Sequence, residues 1–329
     1  MRVLLRYGVF LAIILVVMPS IIVAVWGWWQ PPPPPLDSPF MVNVYSTRTG
    51  QVVSLPLEEY VAGVVAAEMP ALFAPAALEA QAIAARTYVV RRARQLGGGG
   101  CSRHQEADVC DDPAHCQAYL SEQALQLKWG MMDFGSNLAK IQAAVRNTAG
   151  KIITYRGRPI DPIYHSTCGG RTEYAENVWS NSYPYLSGRE CAFCTHSNRF
   201  TEERRFASLD FIALLRQEDA ALVLATRDLA RRPPPIQILR RSASGRVQEL
   251  RVGNRQFSGT TLRRLLGLRS TNFTVSASQN EVIIVTRGHG HGVGMCQWGA
   301  DGLARAGKDH TYILKFYYGE VSIVSLAGR

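Results

Sequence analysis

The first residue whose type and position could do chemistry is Glu68. In "LEEYVAGVVAAEM", residues 57–69, Leu57, Val61, Val64 and Val65 fall on one face at helical spacing, and Glu68 continues the stripe. A carboxylate on an apolar face is desolvated, which raises its pKa and suits it to general acid catalysis near neutral pH. The same pattern suits a Glu paired with an arginine in a core. Arg86 offers such a partner: in "PAALEAQAIAARTYVVRRARQL", Ala82, Val89 and Val90 flank it on the inward side. It could orient Glu68 or a substrate oxygen, or make a structural salt bridge.

A second group of reactive types follows in "GGGGCSRHQEADVCDDPAHCQAYL". His104, Cys110 and Cys116 are spaced evenly by six, with Cys101 and His115 close by. Soft ligands this near in sequence could hold a tetrahedral zinc. Cys101–Cys110 or Cys110–Cys116 disulfides compete with that reading in an extracytoplasmic chain. Further on, His165-Ser166-Thr167-Cys168-Gly169-Gly170 reads as a tight polar turn able to line a ligand. Cys191 and Cys194 form a single CxxC, open to a strained disulfide or to a structural site shared with Cys168. Near the C-terminus, "RGHGHGVGMCQWGA" alternates glycines with His289, His291 and Val293 and runs on to Cys296 and Gln297. Glycine at every second position lets backbone approach a ligand closely at an entropic cost.

Those residues need a scaffold, and the chain reads as α+β, with mixed helices and antiparallel strands. "FMVNVYS" and "VVSLPL" pair as strands about the Thr49-Gly50 turn. Helices are expected over 57–69, stopped by Pro70, over the stretch from Pro75 toward Gly97, and around 136–149. Lys151–Tyr155 and Pro159–Tyr164 read as a hairpin, and Val282–Val285 as a buried strand before the glycine run. Residues 200–275, rich in Arg with short alternating runs, read as a peripheral, inserted subdomain without a chemical constellation.

Before this domain, Tyr7 to Trp29 carries no charge, long enough to span a bilayer core of roughly 20 residues. Arg2 and Arg6 precede it, and the first charge after it is Asp37, which places the C-terminal bulk outside the cell membrane. A cleaved signal peptide would have a shorter apolar region and a small-residue cleavage site, and none is evident. The expected order is an anchor over 1–30, a stiff Pro-rich linker over 31–39, and one extracytoplasmic domain over 40–329. The 329-residue chain has a net charge of +10, carried mostly by Arg. That suits an anionic partner such as cell-wall polymer or membrane surface. No RNP motif, paired-Cys finger or helix-turn-helix pattern accompanies the charge, so nucleic acid is not expected as a partner.

Taken in order, "VVAAEMP", "EAQAIAARTYVV", "CQAY", "YHSTCGGRTEYAENVW", "YPYL" and "GHGHGVGMCQWGA" closely resemble the stage II sporulation protein D family, which includes amidase-enhancer-like proteins. The resemblance covers roughly residues 40–329. It implies a membrane-anchored lytic transglycosylase that cleaves peptidoglycan glycan strands during forespore engulfment, in the space between forespore and mother cell. It also makes the stage II sporulation proteins P and M candidate partners. The family's catalytic acid falls on Glu68 and its substrate-contacting arginine on Arg86, with motif positions at Thr172 and Tyr185. His165, Ser166, His289, His291 and Gln297 complete the expected substrate-binding set. A zinc-containing clostridial branch implies zinc on His104, Cys110 and Cys116. The sequence departs from the family pattern at Cys168 and Cys296, where serine is common.

Under this resemblance one carboxylate suffices, whereas glycoside hydrolases normally use a pair. Two other classes remain open on the sequence. One is a non-catalytic wall-binding enhancer of a separate N-acetylmuramoyl-L-alanine amidase. The other is a cysteine hydrolase built on Cys296 with His289 or His291.

Overall fold

The computed structural model describes residues 40–326, apart from position 180, and two isolated positions near the N-terminus. The expected anchor and linker lie outside the described residues. Among the described residues no helix is long and apolar enough to cross a membrane.

The domain opens as expected with an antiparallel pair, β1 (Met41–Ser46) and β2 (Gln51–Pro56), in register Val44 to Val53. β1 buries Val42 and Val44. Its other edge takes up β3 (Val109–Cys110) in parallel, Tyr45 opposite Cys110, so the Cys-rich loop is fixed to the first sheet.

Helix α1 (Leu57–Glu68) follows β2 directly. It ends because Met69 precedes Pro70 and takes an extended conformation, φ −120° and ψ 147°. The expected single apolar stripe is broader in fact: from Leu57 to Ala66 only Glu59 is exposed. Helix α2 (Pro75–Arg92) starts with Pro at its first turn, and every residue from Ala80 to Val90 is buried. It is the central rod of the main core, its Ile83 in one cluster with Tyr60, Ile153, Tyr317 and Tyr318.

The helix expected around 136–149 is longer. Helix α3 runs Glu122–Asn147, capped by Ser121 and broken at Gly130, whose φ is +71°. The expected hairpin also divides. β4 (Lys151–Tyr155) pairs with the two-residue β5 (Arg158–Pro159). β6 (Tyr164–His165) leaves that sheet and pairs in parallel with β13 (Met295–Cys296).

Between them lies a second apolar core. Strands β7 (Thr201–Ala207), β11 (Phe273–Ala277) and β12 (Glu281–Arg287) form an antiparallel sheet in the order β11-β12-β7. Strands β8 (Ile236–Arg241), β9 (Val247–Val252) and β10 (Arg255–Ser258) form another. Helices α4 (Ser208–Glu218), α5 (Thr226–Leu229) and α6 (Gly259–Leu265) contribute Phe211, Leu229 and Leu262 to this core, beside Leu250, Phe273 and Ile284. Its closing strand β12 lies beyond residue 275 and leads straight into the Gly/His loop. After β13, helices α7 (Gln297–Arg305) and α8 (His310–Tyr318) return to the main core, and β14 (Ser322–Ser325) pairs with β4.

Candidate active site

Glu68 is the last residue of α1, at the wall of a cleft of about 770 Å³. Burial pushes its carboxyl above the ordinary value. Its position at a helix C-terminus, the negative end of the dipole, acts in the same direction. Three donors oppose the shift: Ala118 N–H to Oε1 at 3.2 Å, Gln297 Nε2 to Oε2 at 3.4 Å, and the Tyr164 hydroxyl. Lys128 also favours the carboxylate, while its ammonium is anchored on the Ala66 carbonyl at 2.9 Å. Among the described residues, Glu68 is the only carboxylate that lines the cleft.

The opposite wall is made by β6 and the Gly/His loop. His165, Ser166, His289, His291 and Gln297, the residues expected to bind substrate, all line the cleft with Glu68. His165 Nδ1 donates to the Val293 carbonyl at 3.0 Å, so the neutral ring presents Nε2 as an acceptor, and that buried atom has no protein partner. Burial holds His165 well below its ordinary pKa, with His291 and Arg246 adding to the effect. His291 is committed differently. Its Nδ1 accepts from Val293 N–H at 3.1 Å, which ties the ring to its own loop, and the Tyr164 backbone favours its charged form. His289, beside Arg199 at 3.2 Å, is half-buried at the rim.

The glycines of this loop serve the chain itself. Gly288, Gly290, Gly292 and Gly294 all have positive φ, from 72° to 105°. A Cβ on Gly294 would stand 2.0 Å from the Ile163 carbonyl oxygen, and one on Gly292 would strike the Arg246 guanidinium at 2.1 Å. The expected close approach of backbone to ligand is therefore an approach to the 163–168 segment and to Arg246.

Four of the expected site residues lie elsewhere. Arg86 is fully buried and grips Glu58: Nε to Oε1 at 2.8 Å and Nη2 to Oε2 at 2.5 Å, with Nη1 on the Lys151 carbonyl at 3.0 Å. It touches neither Glu68 nor the cleft. Thr172 is buried, its hydroxyl accepting from Arg189 N–H at 2.7 Å. Tyr185 is buried against Tyr155 and Tyr183, its hydroxyl accepting from Asp161 N–H at 3.1 Å. His104 stacks on Tyr45, ring centroids 3.5 Å apart, and is not with the cysteines.

The imidazole that does join the cysteines is His115. Its Nδ1 lies 3.6, 3.3 and 3.4 Å from the sulfurs of Cys101, Cys110 and Cys116, and the four donor atoms fall within 4.8 Å of one another. Three thiols and one imidazole suit tetrahedral zinc. Ser102 Oγ, 2.9 Å from His115 Nε2, can hold the proton there and leave Nδ1 free for a metal. None of the seven cysteines is in a disulfide. Cys296 is fully buried among Cys168, Cys191 and Cys194, which removes the geometry a cysteine hydrolase would need.

Sequence reasoning missed several cleft residues, Tyr164, Lys128 and the aromatic Phe73, Trp129 and Trp298, and Gln117 behind Tyr164. Gln117 Nε2 donates to the Tyr164 hydroxyl at 2.9 Å, setting that hydroxyl to donate onward to Glu68. Phe73 meets Trp298 edge-on, 4.9 Å between centroids. Tyr164 and Gln117 sit inside the motifs "YHSTCGG" and "CQAY", where position beside a flagged residue was the available signal.

A family model described as "Stage II sporulation protein" matches residues 45–155. The stage II sporulation protein D of Bacillus amyloliquefaciens is 39% identical over 287 residues, covering 87% of this chain and 79% of that protein. The protein of the same name from Bacillus subtilis (strain 168) is 35% identical over 281 residues, 85% of this chain and 78% of that one. The amidase enhancer of Bacillus subtilis (strain 168) is 26% identical over 307 residues, 80% of this chain but 40% of the enhancer.

Proposed function

This chain belongs to the stage II sporulation protein D family, and from that premise we propose that it is a membrane-anchored lytic transglycosylase acting outside the cell membrane on peptidoglycan glycan strands. The observation that carries the reading is the desolvated carboxylate of Glu68, at a cleft with no second acid among the described residues. A hydrolase needs one group to protonate the leaving oxygen and another to activate water or attack the sugar. An intramolecular transfer needs only one.

In the proposed reaction, protonated Glu68 gives its proton to the oxygen joining N-acetylmuramic acid to N-acetylglucosamine as that bond breaks. The muramic C6 hydroxyl attacks the anomeric carbon, and the Glu68 carboxylate takes the C6 proton. The products are a 1,6-anhydromuramic end and a free N-acetylglucosamine 4-hydroxyl, with no water consumed. Desolvation favours the protonated acid, and the donors from Ala118, Gln297 and Tyr164 stabilise the carboxylate formed on proton transfer. His165 Nε2 and the Ser166 hydroxyl offer sugar hydroxyls an acceptor and an acceptor-donor. Trp129 and Trp298, the latter backed by buried Phe73, give flat apolar faces for sugar rings.

Zinc on Cys101, Cys110, Cys116 and His115 would supply a structural cross-link for the loop that places Gln117 and the Ala118 N–H beside the site. The proposed chemistry itself is the work of Glu68.

The alternative, a non-catalytic enhancer of an amidase, takes its support from the amidase-enhancer relative. Incubating the full chain with purified glycan strands and analysing the ends by mass spectrometry separates the two. Anhydromuramic ends, lighter by one water than reducing ends, support the transglycosylase. Reducing ends, or no cleavage with retained strand binding, overturn it.

A further inference from the structure

The second cysteine cluster is remote from the first in the chain and of different composition. Cys168 follows β6, Cys191 caps and Cys194 ends a single 3-10 turn, and Cys296 caps the N-terminus of α7. All four are buried, and their sulfurs lie within 4.8 Å of one another. We propose that Cys168, Cys191, Cys194 and Cys296 form a second, all-thiolate structural zinc site.

Zinc–sulfur bonds of about 2.3 Å in a tetrahedron place sulfurs about 3.8 Å apart. The cluster is already near that spacing, with Cys168 and Cys194 3.3 Å apart. The surroundings are built for sulfur anions. Cys296 Sγ accepts from Cys168 N–H and Gly299 N–H, each at 3.2 Å. The Tyr317 hydroxyl lies 3.2 Å from Cys191 Sγ, and the Gly169 backbone serves Cys194. Donors from main chain and phenol toward ligand sulfurs are the usual outer shell of such a centre.

Charge points the same way. Four thiolates with zinc carry a net charge of −2, which a buried site must balance. Arg246 is buried beside them, with Nη2 on the Cys168 carbonyl at 3.3 Å and Nη1 without a partner. No ion pair joins Arg246 to a carboxylate among the described residues. A buried guanidinium that makes no direct ion pair, with the Glu173 carboxylate, Cys168 and Cys296 as the groups that favour its charge, is apt beside a thiolate dianion. The two departures from the family pattern, Cys168 and Cys296, thus fall on the same few cubic ångströms as the lone CxxC.

The site would be closed, with no open coordination position. It would tie together the segment bearing His165 and Ser166, the segment bearing Gln297, and the 191–194 turn. It would hold one wall of the cleft as the Cys/His115 cluster holds the other.

The test uses the full chain, purified in detergent under reducing conditions without chelator. Elemental analysis should give two zinc per chain, and X-ray absorption should give a shell of seven sulfurs to one nitrogen over the two ions. Cys168→Ser with Cys296→Ser should fall to one zinc, with three sulfurs to one nitrogen. Should that variant fail to fold, His115→Ala tests the same point from the other side, since the zinc it keeps should be surrounded by sulfur alone. One zinc in the wild type with a three-sulfur, one-nitrogen shell overturns the proposal. So does peptide mapping that finds Cys168, Cys191, Cys194 and Cys296 paired as disulfides without metal.

Discussion

Arg86 and Glu58 form a bidentate ion pair inside the main core, and that pair joins four elements. Glu58 is on the first turn of α1 and Arg86 is in the middle of α2. The guanidinium also reaches the carbonyls of Val145, near the end of α3, and Lys151, on β4. Gly150 N–H donates to Glu58 Oε1 at 3.1 Å, closing the network. The arginine that the family resemblance placed on substrate is therefore a strut behind the acid-bearing helix.

Replacing Arg86 by Ala leaves the Glu58 carboxylate buried and unpaired, which typically costs about 3–5 kcal/mol. Arg86→Lys keeps a charge but loses the planar fork and is expected to recover only part of that stability. Denaturant titration measures both losses. Activity normalised to the folded fraction should show an unchanged KM for glycan strands. A stable Arg86→Ala protein with a raised KM would return this residue to the substrate site.

Glu68→Gln should lower the rate of glycan cleavage by about 10²–10⁴, toward the larger end because the same group acts as acid and then base. Its stability should move the other way at neutral pH. The folded pKa of Glu68 lies above the unfolded one, so its contribution is fully present below the unfolded pKa and is lost as pH rises through the folded pKa. At pH 7 the neutral amide is the easier group to bury, and the variant should melt at or above the wild-type temperature. The difference should vanish on acidification toward the ordinary Glu range near 4.3. A variant that melts lower at pH 7 and keeps that deficit in acid would contradict the desolvation account.

Much of this site was legible because its residues sit in short local patterns. Glu68, His165, Ser166, His289 and Gln297 were each flagged by neighbours within a few positions, and all line one cleft. What sequence could not show was set by distant pairing. The even spacing of His104, Cys110 and Cys116 favoured His104, but β3 pairs with β1 and carries that loop past Tyr45, where His104 stacks. The turn begun by Asp112, whose carbonyl accepts from His115 N–H at 3.0 Å and Cys116 N–H at 2.8 Å, folds His115 back onto the sulfurs instead. Arg86 found its partner 28 positions away on a helix face that looked merely apolar. The front half of α3 escaped notice because Leu127, Met131 and Met132 are exposed and Gly130 interrupts the periodicity.

The Gly/His loop should make the fold acid-sensitive. Burial, with Arg246 and Arg263 nearby, holds His291 at about 3, and His165 also faces it. Burial, with Arg199, Arg269 and Arg263, holds His289 at about 4. Both folded values lie below the unfolded value near 6.5. The stability these neutral rings contribute is therefore present above pH 6.5 and is lost as pH falls toward the folded values. One such group adds a slope of up to about 1.4 kcal/mol per pH unit between its two pKa values. His291→Gln, which keeps an acceptor and a donor but does not titrate, should flatten unfolding free energy measured between pH 6.5 and 4. An unchanged slope in this variant would show that His291 ionises freely in the folded protein.

Exchanging the roles of His115 and His104 gives the last test. If His115 is the nitrogen ligand beside Cys101, Cys110 and Cys116, His115→Ala should lose one zinc equivalent by elemental analysis. His104→Ala should keep its zinc and lose only the stacking on Tyr45, about 0.5–1.5 kcal/mol. The functional effect should follow the metal. Ala118, whose N–H serves Glu68, is two residues beyond Cys116, and Gln117 between them sets the Tyr164 hydroxyl. Freeing this loop removes the Ala118 donor to the Glu68 carboxylate and the Gln117 contact that sets the Tyr164 donor, so its pKa should rise further. The alkaline limb of the glycan-cleavage profile should then shift to higher pH in His115→Ala, with a lower maximum rate, and stay in place in His104→Ala. Zinc loss on His104→Ala with retention on His115→Ala would restore the evenly spaced ligand set and overturn the assignment of His115.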